Sequence, residues 1–419
     1  MAARIDFHEC FRTGDERHTL GDALAQFDAK LATIVETETV TVRNASGRIL
    51  AQDLVATHDI PPHDNSAMDG YAIHFDDLDP HKATLLTRGP RIAAGHPYVG
   101  AIARGQAAEI FTGAPIPVGS DTVVMAEDVR EDGARIAIPA GIVRGAHIRR
   151  AGEDVRRGET VLRAGLRLRA QDIGMIASLG HSTVAVYRRL RVAVFSTGDE
   201  VREPGEALAP GAIFDINRYT LMALLERLGC AVTDLGILPD REAVIRQAVG
   251  RASETHDLIL TSGGVSVGEE DHVKAAVETL GSLHVWRLAI KPGRPIALGQ
   301  VGRVPFVGLP GNPVAAMVTF LRIVRPLILK LAGAANRQPA MFRVRAAFEH
   351  RKKTGRREWV RVSLVPDGAG GLEARKFPRE GAGILSSMVA SDGLAELPED
   401  LTRLEPGTMV DVLPFAEVL

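Results

Sequence analysis

Four short segments rich in glycine, hydroxyls or carboxylates hold much of the chemistry in this chain. They are Ser196-Thr197-Gly198-Asp199-Glu200, Pro239-Asp240, Thr261 to Asp271, and Gly308-Leu309-Pro310-Gly311-Asn312-Pro313. Each follows an apolar run of the kind that forms a buried strand. In an open α/β sheet, ligands bind outside the carboxyl ends of the strands. One such loop reads as plain chain reversal, whereas four on one edge read as a binding edge. In the last loop Asn312 suits an N-cap and Pro313 the first helical position. The helix that follows would offer free N–H groups and its positive dipole end to an anion. Ser262, Gly263, Gly264 and Ser266 give the third loop the texture of a phosphate cradle. No Gly-Lys-Ser/Thr closes it, and its glycines are not spaced G-x-G-x-x-G, which argues against a P-loop ATPase and a dinucleotide-binding enzyme.

Carboxylates gather on the same edge: Asp199, Glu200, Asp240, Glu269, Glu270 and Asp271. Acids beside an anion cradle suggest a hard cation between them, and Mg²⁺ takes one or two carboxylates plus phosphate oxygens. Charge at a helix start is the plainer reading of 269–271. Lys291-Pro292-Gly293-Arg294-Pro295 supplies a rigid positive segment, with Arg287 four residues upstream; the plainer reading there is surface solvation. Only 8 of the 50 basic residues are Lys, which makes Lys291 the more notable. The densest polar cluster of the N-terminal half is Asp64-Asn65-Ser66-Ala67-Met68-Asp69-Gly70-Tyr71, and Thr112-Gly113-Ala114-Pro115 is a similar turn; Asx turns would explain both. No H-E-x-x-H occurs among the 13 histidines, which speaks against a transition-metal cage.

The elements that must position these residues change character along the chain. Thr19 to Thr37 reads as an amphipathic helix, with Leu20, Leu24, Phe27, Leu31 and Ile34 at helical spacing. Residues 71–148 read as short strands between Gly and Pro punctuation, for example Ala107 to Phe111 and Arg135 to Ile138. From Leu190 onward strands alternate with helices: Arg191 to Phe195, Ile216 to Leu228, Ala231 to Leu238, Arg241 to Ala252, Leu258 to Thr261, His272 to Leu280. Strands at Leu283 to Ile290, Ile296 to Leu298 and Phe306 to Gly308 precede a long helix, Pro313 to Leu331. This alternation predicts a parallel sheet with helices on both faces. The final segment, 339–419, reads as a small β domain. The fold class is thus multidomain α/β: a parallel α/β substrate-binding domain plus small mostly-β domains. The expected division is a discontinuous domain of 15–55 and 151–189, an inserted mostly-β domain of 56–150, an α/β domain of 190–338 and a β domain of 339–419.

The 419 residues are 45% hydrophobic and 24% charged, ordinary globular values that exclude a disordered chain. Net charge is -2 and aromatics are 5%, so neither a global basic field nor extensive base-stacking surface favours nucleic acid. The arginines of 144–169 read as solvated faces or anion attraction. Cys10 and Cys230 form no disulfide framework. Charges near the N-terminus oppose a signal peptide, and Pro310, Gly311, Arg322, Arg325 and Lys330 interrupt the most apolar stretch, so a cytoplasmic protein without a membrane span is expected.

Seven blocks in order resemble the molybdopterin molybdenumtransferase family, MoeA-type, which includes the gephyrin E domain. They are Pro61 to Ala72, Thr112 to Pro115, Arg150 to Asp154, Ser196 to Glu200, Ser262 to Gly268, Lys291 to Pro295 and Gly308 to Pro313. The resemblance implies an elongated, L-shaped subunit in a homodimer with the active site between subunits. It implies Mg²⁺-dependent insertion of molybdate into adenylylated molybdopterin, with release of AMP. Asp64, Thr112 and Asp154 would form an N-terminal wall, with the Asp64 block facing the partner's α/β domain. Glu200, Asp240 and Asp271 would be the acidic residues and the candidate metal ligands, and Lys291 their basic partner. Ser262, Gly263, Gly264 and Ser266 would bind substrate, and Pro310 and Pro313 would shape the phosphate-side loop. Arg361 and Ser386 or Ser387 would come from the last domain. Arg287 stands where the family often has Lys; it keeps the charge but presents a planar fork. Molybdopterin adenylyltransferase and apo-molybdoenzymes would be transient partners. The competing readings are a gephyrin-like scaffold, molybdopterin adenylyltransferase activity on the same α/β fold, and a tungstate-preferring paralogue.

Overall fold

A computed structural model describes residues 7–12, 18–263 and 272–418. The chain divides into two compact units, one of residues 1–52, 164–169 and 184–419 and one of 53–163 and 170–183.

In the larger unit, a six-stranded sheet runs in the order Ala231–Leu238, Arg191–Thr197, Leu258–Ser262, Val304–Leu309, Pro295–Val301, Gly281–Arg287. The first four strands are parallel. Alternation in the Arg191–Thr197 strand sends Val192 and Val194 to one core, with Leu221 and Leu225 of the Asn217–Arg227 helix. Ala193 and Phe195 face the other, with Ile245 and Val249 of Glu242–Thr255 and Val273 of His272–Leu280. Helices therefore cover both faces, as the alternation predicts.

The last two strands are antiparallel, where the sequence suggested parallel strands throughout. Only Gly302 and Arg303 separate Val301 from Val304, and a parallel neighbour would need a crossover of about a dozen residues. The expected strand Leu283 to Ile290 also divides. Gly281–Arg287 stays in this sheet, while Ile290–Lys291 leaves it to pair in parallel with Arg357–Glu358. There it joins a five-stranded closed β-barrel of Arg357–Pro366, Leu372–Lys376, Phe342–Ala346, Met409–Pro414 and Gly393–Leu397.

Two helices differ from expectation. The first spans Leu20–Lys30 and stops short of Thr37. Thr19 starts it with a reciprocal capping box, accepting from the Asp22 N–H at 3.1 Å and donating its own N–H to Asp22 at 3.0 Å. Beyond Leu31 the β-branched residues Thr33, Ile34, Val35 and Thr37 favour extended backbone, and Thr37–Thr41 is a strand. The helix from Pro313 is α-helical over Pro313–Thr319, widens to a π-turn at Phe320–Val324 and resumes over Arg325–Leu331. Pro326 has no N–H to give the preceding turn, which displaces the ladder there.

The amino edge of the parallel strands is pinned by Asp257. It accepts from Arg188 at 2.8 and 3.1 Å and from the Arg191 N–H at 2.8 Å. Burial raises its pKa, but the bonds from Arg188 and Arg191 outweigh this and hold it at about 2, below the ordinary 3.8. Because the folded pKa is depressed, the stabilisation is complete above about pH 4 and fades as pH falls through 2. Asp257→Asn is expected to cost about 2 kcal/mol at pH 7 in urea denaturation, the gap to wild type closing between pH 4 and 2. An equal gap at pH 2 would show that charge is not the cause.

The thiols of Cys10 and Cys230 are buried, and burial pushes them up to about 11 and about 12. Among the described residues no helix is long and apolar enough to cross a membrane.

The second unit holds a six-stranded sheet in the order Thr122–Met125, Gly70–Ile73, Gln106–Ile110, Thr84–Ile92, Arg135–Ile138, Arg130–Asp132. Tyr71 and Ile73 enter one core and Ala72 the other, the two-residue period of a strand buried on both faces.

Candidate active site

Strand order reverses beside Arg191–Thr197: the chain moves from it to Ala231–Leu238 on one side, then crosses to Leu258–Ser262 on the other. A crevice at such a reversal is the usual ligand site of a doubly wound sheet. The loops above it are tied together by Asn217. Its side-chain amide donates to Ser262 Oγ at 2.9 Å and to the Gly311 carbonyl at 2.7 Å, and Ser262 Oγ donates to the Pro310 carbonyl at 2.9 Å. Ser262 thus braces the Pro310 loop from beneath.

A cavity of about 840 Å³ reaches this point at Glu200 and Gly263 and extends past Lys291, Pro310 and Asn312 to Arg361 of the barrel. Sequence-predicted residues from the α/β portion and from the barrel therefore meet in one place. The Lys291 segment reaches it because Gly293 fits against the helix behind it. Gly293 has φ +95°, and a Cβ there would lie 2.2 Å from Thr319 Oγ1. Gly198 serves Glu200 in a similar way, since at φ +138° a Cβ would meet the Glu200 carboxylate at 2.7 Å. Asn312 occupies the N-cap of the Pro313 helix but makes no side-chain capping bond, while the Val314 N–H is taken by the Ala382 carbonyl at 2.9 Å.

Arg361 is buried, and its Nε donates to Ser387 Oγ at 3.1 Å. Burial lowers its pKa below the usual guanidinium value, with Glu380 opposing. Of the serine pair, Ser387 meets Arg361, and Ser386 is exposed at the start of the short Ser386–Val389 helix. Asp240, Arg287 and Pro313 are not among the residues lining the cavity. Asp240 Oδ1 accepts from Thr197 Oγ1 at 3.3 Å, and Arg287 is exposed at the end of the edge strand. Gly264, Ser266 and Asp271 lie outside the described residues.

The barrel contributes a charged cluster that sequence reasoning missed. Glu358, 2% exposed, accepts from Lys291 Nζ at 3.3 Å and faces His350 Nε2 at 3.1 Å through one oxygen. Its other oxygen faces Arg356 at 2.6 Å. Burial raises the Glu358 pKa, but His350, Lys291 and Arg356 outweigh this and the carboxyl stays below its usual range. Lys376 Nζ lies 3.1 Å from His350 Nδ1 and pairs with Glu380. The bond to Lys376 holds the Glu380 carboxyl low as well. Only a carboxylate set among the basic run Arg351 to Arg361 hinted at this cluster.

In the second unit, Asp64 accepts from Arg150 at 2.6 Å and from the Ala151 N–H at 2.8 Å. The Ala151 bond, aided by Arg150, lowers its pKa against the effect of burial. The Asp64 and Arg150 blocks thus form one cluster. Thr112 gives both its N–H and its hydroxyl to Asp69 Oδ1, each at 2.7 Å. Asp154 is exposed on the turn after Arg150.

A doubly wound sheet whose strand-end loops join a cavity carrying several Lys and Arg side chains is an arrangement in which α/β proteins bind anionic small molecules. Comparison with known proteins identifies the family. The family descriptions "MoeA N-terminal region (domain I and II)", "Probable molybdopterin binding domain" and "MoeA C-terminal region (domain IV)" match residues 18–180, 193–330 and 343–415. A molybdopterin molybdenumtransferase of Haemophilus influenzae is 40% identical over 404 residues, covering 96% of this chain and 99% of the relative. One from Nostoc is 37% identical, covering 92% and 90%. A crystal structure of a molybdopterin biosynthesis MoeA protein from Pyrococcus horikoshii superposes with TM-score 0.81 at 31% identity, covering 95% of this chain and 99% of that one. The chain belongs to the molybdopterin molybdenumtransferase family, enzymes of molybdenum cofactor biosynthesis.

Proposed function

We propose that this chain inserts molybdate into the dithiolene of adenylylated molybdopterin and releases AMP, in a Mg²⁺-dependent reaction. The observation that carries this reading is the cavity of about 840 Å³ that reaches from the end of the strand reversal to the barrel, whose wall carries Lys291, Arg361 and Glu200 together. Molybdate, a pterin phosphate and a nucleotide are all anions, and fixed cations offset their mutual repulsion. Cleaving the adenylyl linkage is phosphoryl chemistry, in which positioning and charge stabilisation dominate. In this reading the Ser262–Gly263 loop and Pro310 seat the phosphates, Arg361 holds an oxyanion, and Lys291 offsets the leaving charge.

The donor set suits Mg²⁺. Glu200 offers a hard carboxylate on the cavity wall, and Asp240 has a carboxylate oxygen beyond the one taken by Thr197. Among the described residues no group of three or more His, Cys, Asp and Glu could hold a metal. Glu200 and Asp240, with Asp271, would hold the ion, whose chemistry would be to neutralise phosphate charge. The reading includes the four-domain division, a homodimer with its active site between subunits, and Asp64, Thr112 and Asp154 as that site's second wall. Its support for the second wall is the self-contained cluster that Asp64 forms with Arg150 and Ala151.

The test is AMP release by purified protein given adenylylated molybdopterin, molybdate and Mg²⁺, with each omitted in turn. Release that needs molybdate and Mg²⁺, followed by activation of an apo-molybdoenzyme, is the expected result. Tight substrate binding without release would overturn it, and tungstate would be tried next.

A further inference from the structure

Two lysines line the cavity among the described residues, and of these Lys291 pairs with a buried acid whereas Lys376 pairs with the exposed Glu380. The Lys291 side chain is 45% exposed, and Glu358 beneath it is 2% exposed. A lysine ammonium is a point charge whose direction is set by whatever it bonds. Its contact with Glu358 crosses from the Ile290–Lys291 strand to the Arg357–Pro366 strand, which pair in parallel with Lys291 opposite Glu358. Register alone therefore brings the acid under the base.

Glu358 is itself held on every side. Arg356 approaches one oxygen through Nε at 2.7 Å and through its terminal nitrogen at 2.6 Å. His350 Nε2 lies 3.1 Å from the other. The histidine is 5% exposed, and its second nitrogen faces Lys376 at 3.1 Å. An ammonium can only donate, so Nδ1 accepts and Nε2 carries the proton that goes to Glu358. Lys376 in turn is fixed by Glu380. Glu380, Lys376, His350, Glu358 and Lys291, all on the cavity wall, thus form one chain with each donor matched to an acceptor.

We propose that Glu358, oriented by His350 and Arg356, is the positioning residue for Lys291: it aims the ammonium at the anion in the cavity and touches no reacting atom itself. This rests on the reading of Lys291 given above. Removing the negative partner frees the lysine stem to sample other rotamers, so the cost should fall on turnover more than on substrate binding.

The experiment is a double-variant cycle read by AMP release at saturating adenylylated molybdopterin and varied molybdate. Glu358→Gln is expected to lower kcat on the order of 100-fold, because a displacement of about 1 Å has that effect, with KM for molybdate changed far less. In a Lys291→Met background the same change should cost almost nothing further, since its target is gone. His350→Gln, which keeps a donor for Glu358, should show a smaller loss that also vanishes in that background. It serves as the second probe if Glu358→Gln folds poorly by its melting temperature. Equal losses with and without Lys291, or no loss in either variant, would overturn the proposal. Wild-type turnover by Lys291→Met alone would instead overturn the role given to Lys291 in the proposed reaction.

Discussion

Glu200→Gln should lower AMP release on the order of 100- to 1,000-fold, the usual consequence of losing one preorganised electrostatic group, while pterin binding stays near wild type. Glu200 lies on the cavity wall with its carboxylate close over Gly198, whose positive φ leaves room that a side chain would occupy. The amide keeps the size and the oxygen of the acid but loses the charge that would hold Mg²⁺. Single-turnover AMP release separates the two effects from binding measured by equilibrium titration. Wild-type turnover in the variant would remove Glu200 from the mechanism, and a matching loss of pterin affinity would make it a binding group.

The second large effect concerns stability. Arg218→Met should destabilise the larger unit by about 3–5 kcal/mol, the range for breaking a buried ion pair from one side. Arg218 is 1% exposed and pairs with Asp215, Asp234 and Glu203; its Nε lies 2.8 Å from Asp215, itself 3% exposed. Those carboxylates hold the guanidinium pKa above its ordinary value despite burial, so the charge persists at every accessible pH. Removing it strands Asp215. The neighbouring Asn217 is the amide that ties the Ser262 and Gly311 loops, so loss of this anchor should also weaken substrate affinity. Guanidinium denaturation gives the first number, and adding Asp215→Asn should restore part of it. A cost below about 1 kcal/mol would mean that apolar packing alone holds the helix.

What the sequence disclosed follows a physical division. Ala231–Leu238 begins and ends where expected, and the helix through Leu280 stops where expected, because turn formers follow each and their apolar periods are unbroken. The loops carrying Glu200, Gly263 and Pro310 were legible because chemistry concentrates at strand ends. Thr19 to Thr37 overran because Ile34 stayed in helical phase while its neighbours favoured extended backbone. The antiparallel edge depended on the length of one connection, Gly302-Arg303, which periodicity does not encode. His350 and Glu358 escaped notice for another reason. Glu358 is 67 residues from Lys291, and only the pairing of two strands in different parts of the unit joins them. Likewise Arg361 and Ser387 meet across 26 residues by barrel closure, and nothing local separates Ser387 from Ser386.

The two buried thiols have a consequence for sulfur chemistry. The proposed substrate carries its reactive sulfurs as a dithiolene, and molybdenum delivered to it is open to capture by any competing thiolate. With thiols held at about 11 and about 12, fewer than about one in ten thousand is ionised at neutral pH, and only the thiolate attacks or ligates. Burial and the raised pKa together disfavour attack by Cys10 and Cys230 on disulfides. In the proposed reaction, the dithiolene sulfurs of the substrate would then meet little competition from the protein's own thiols.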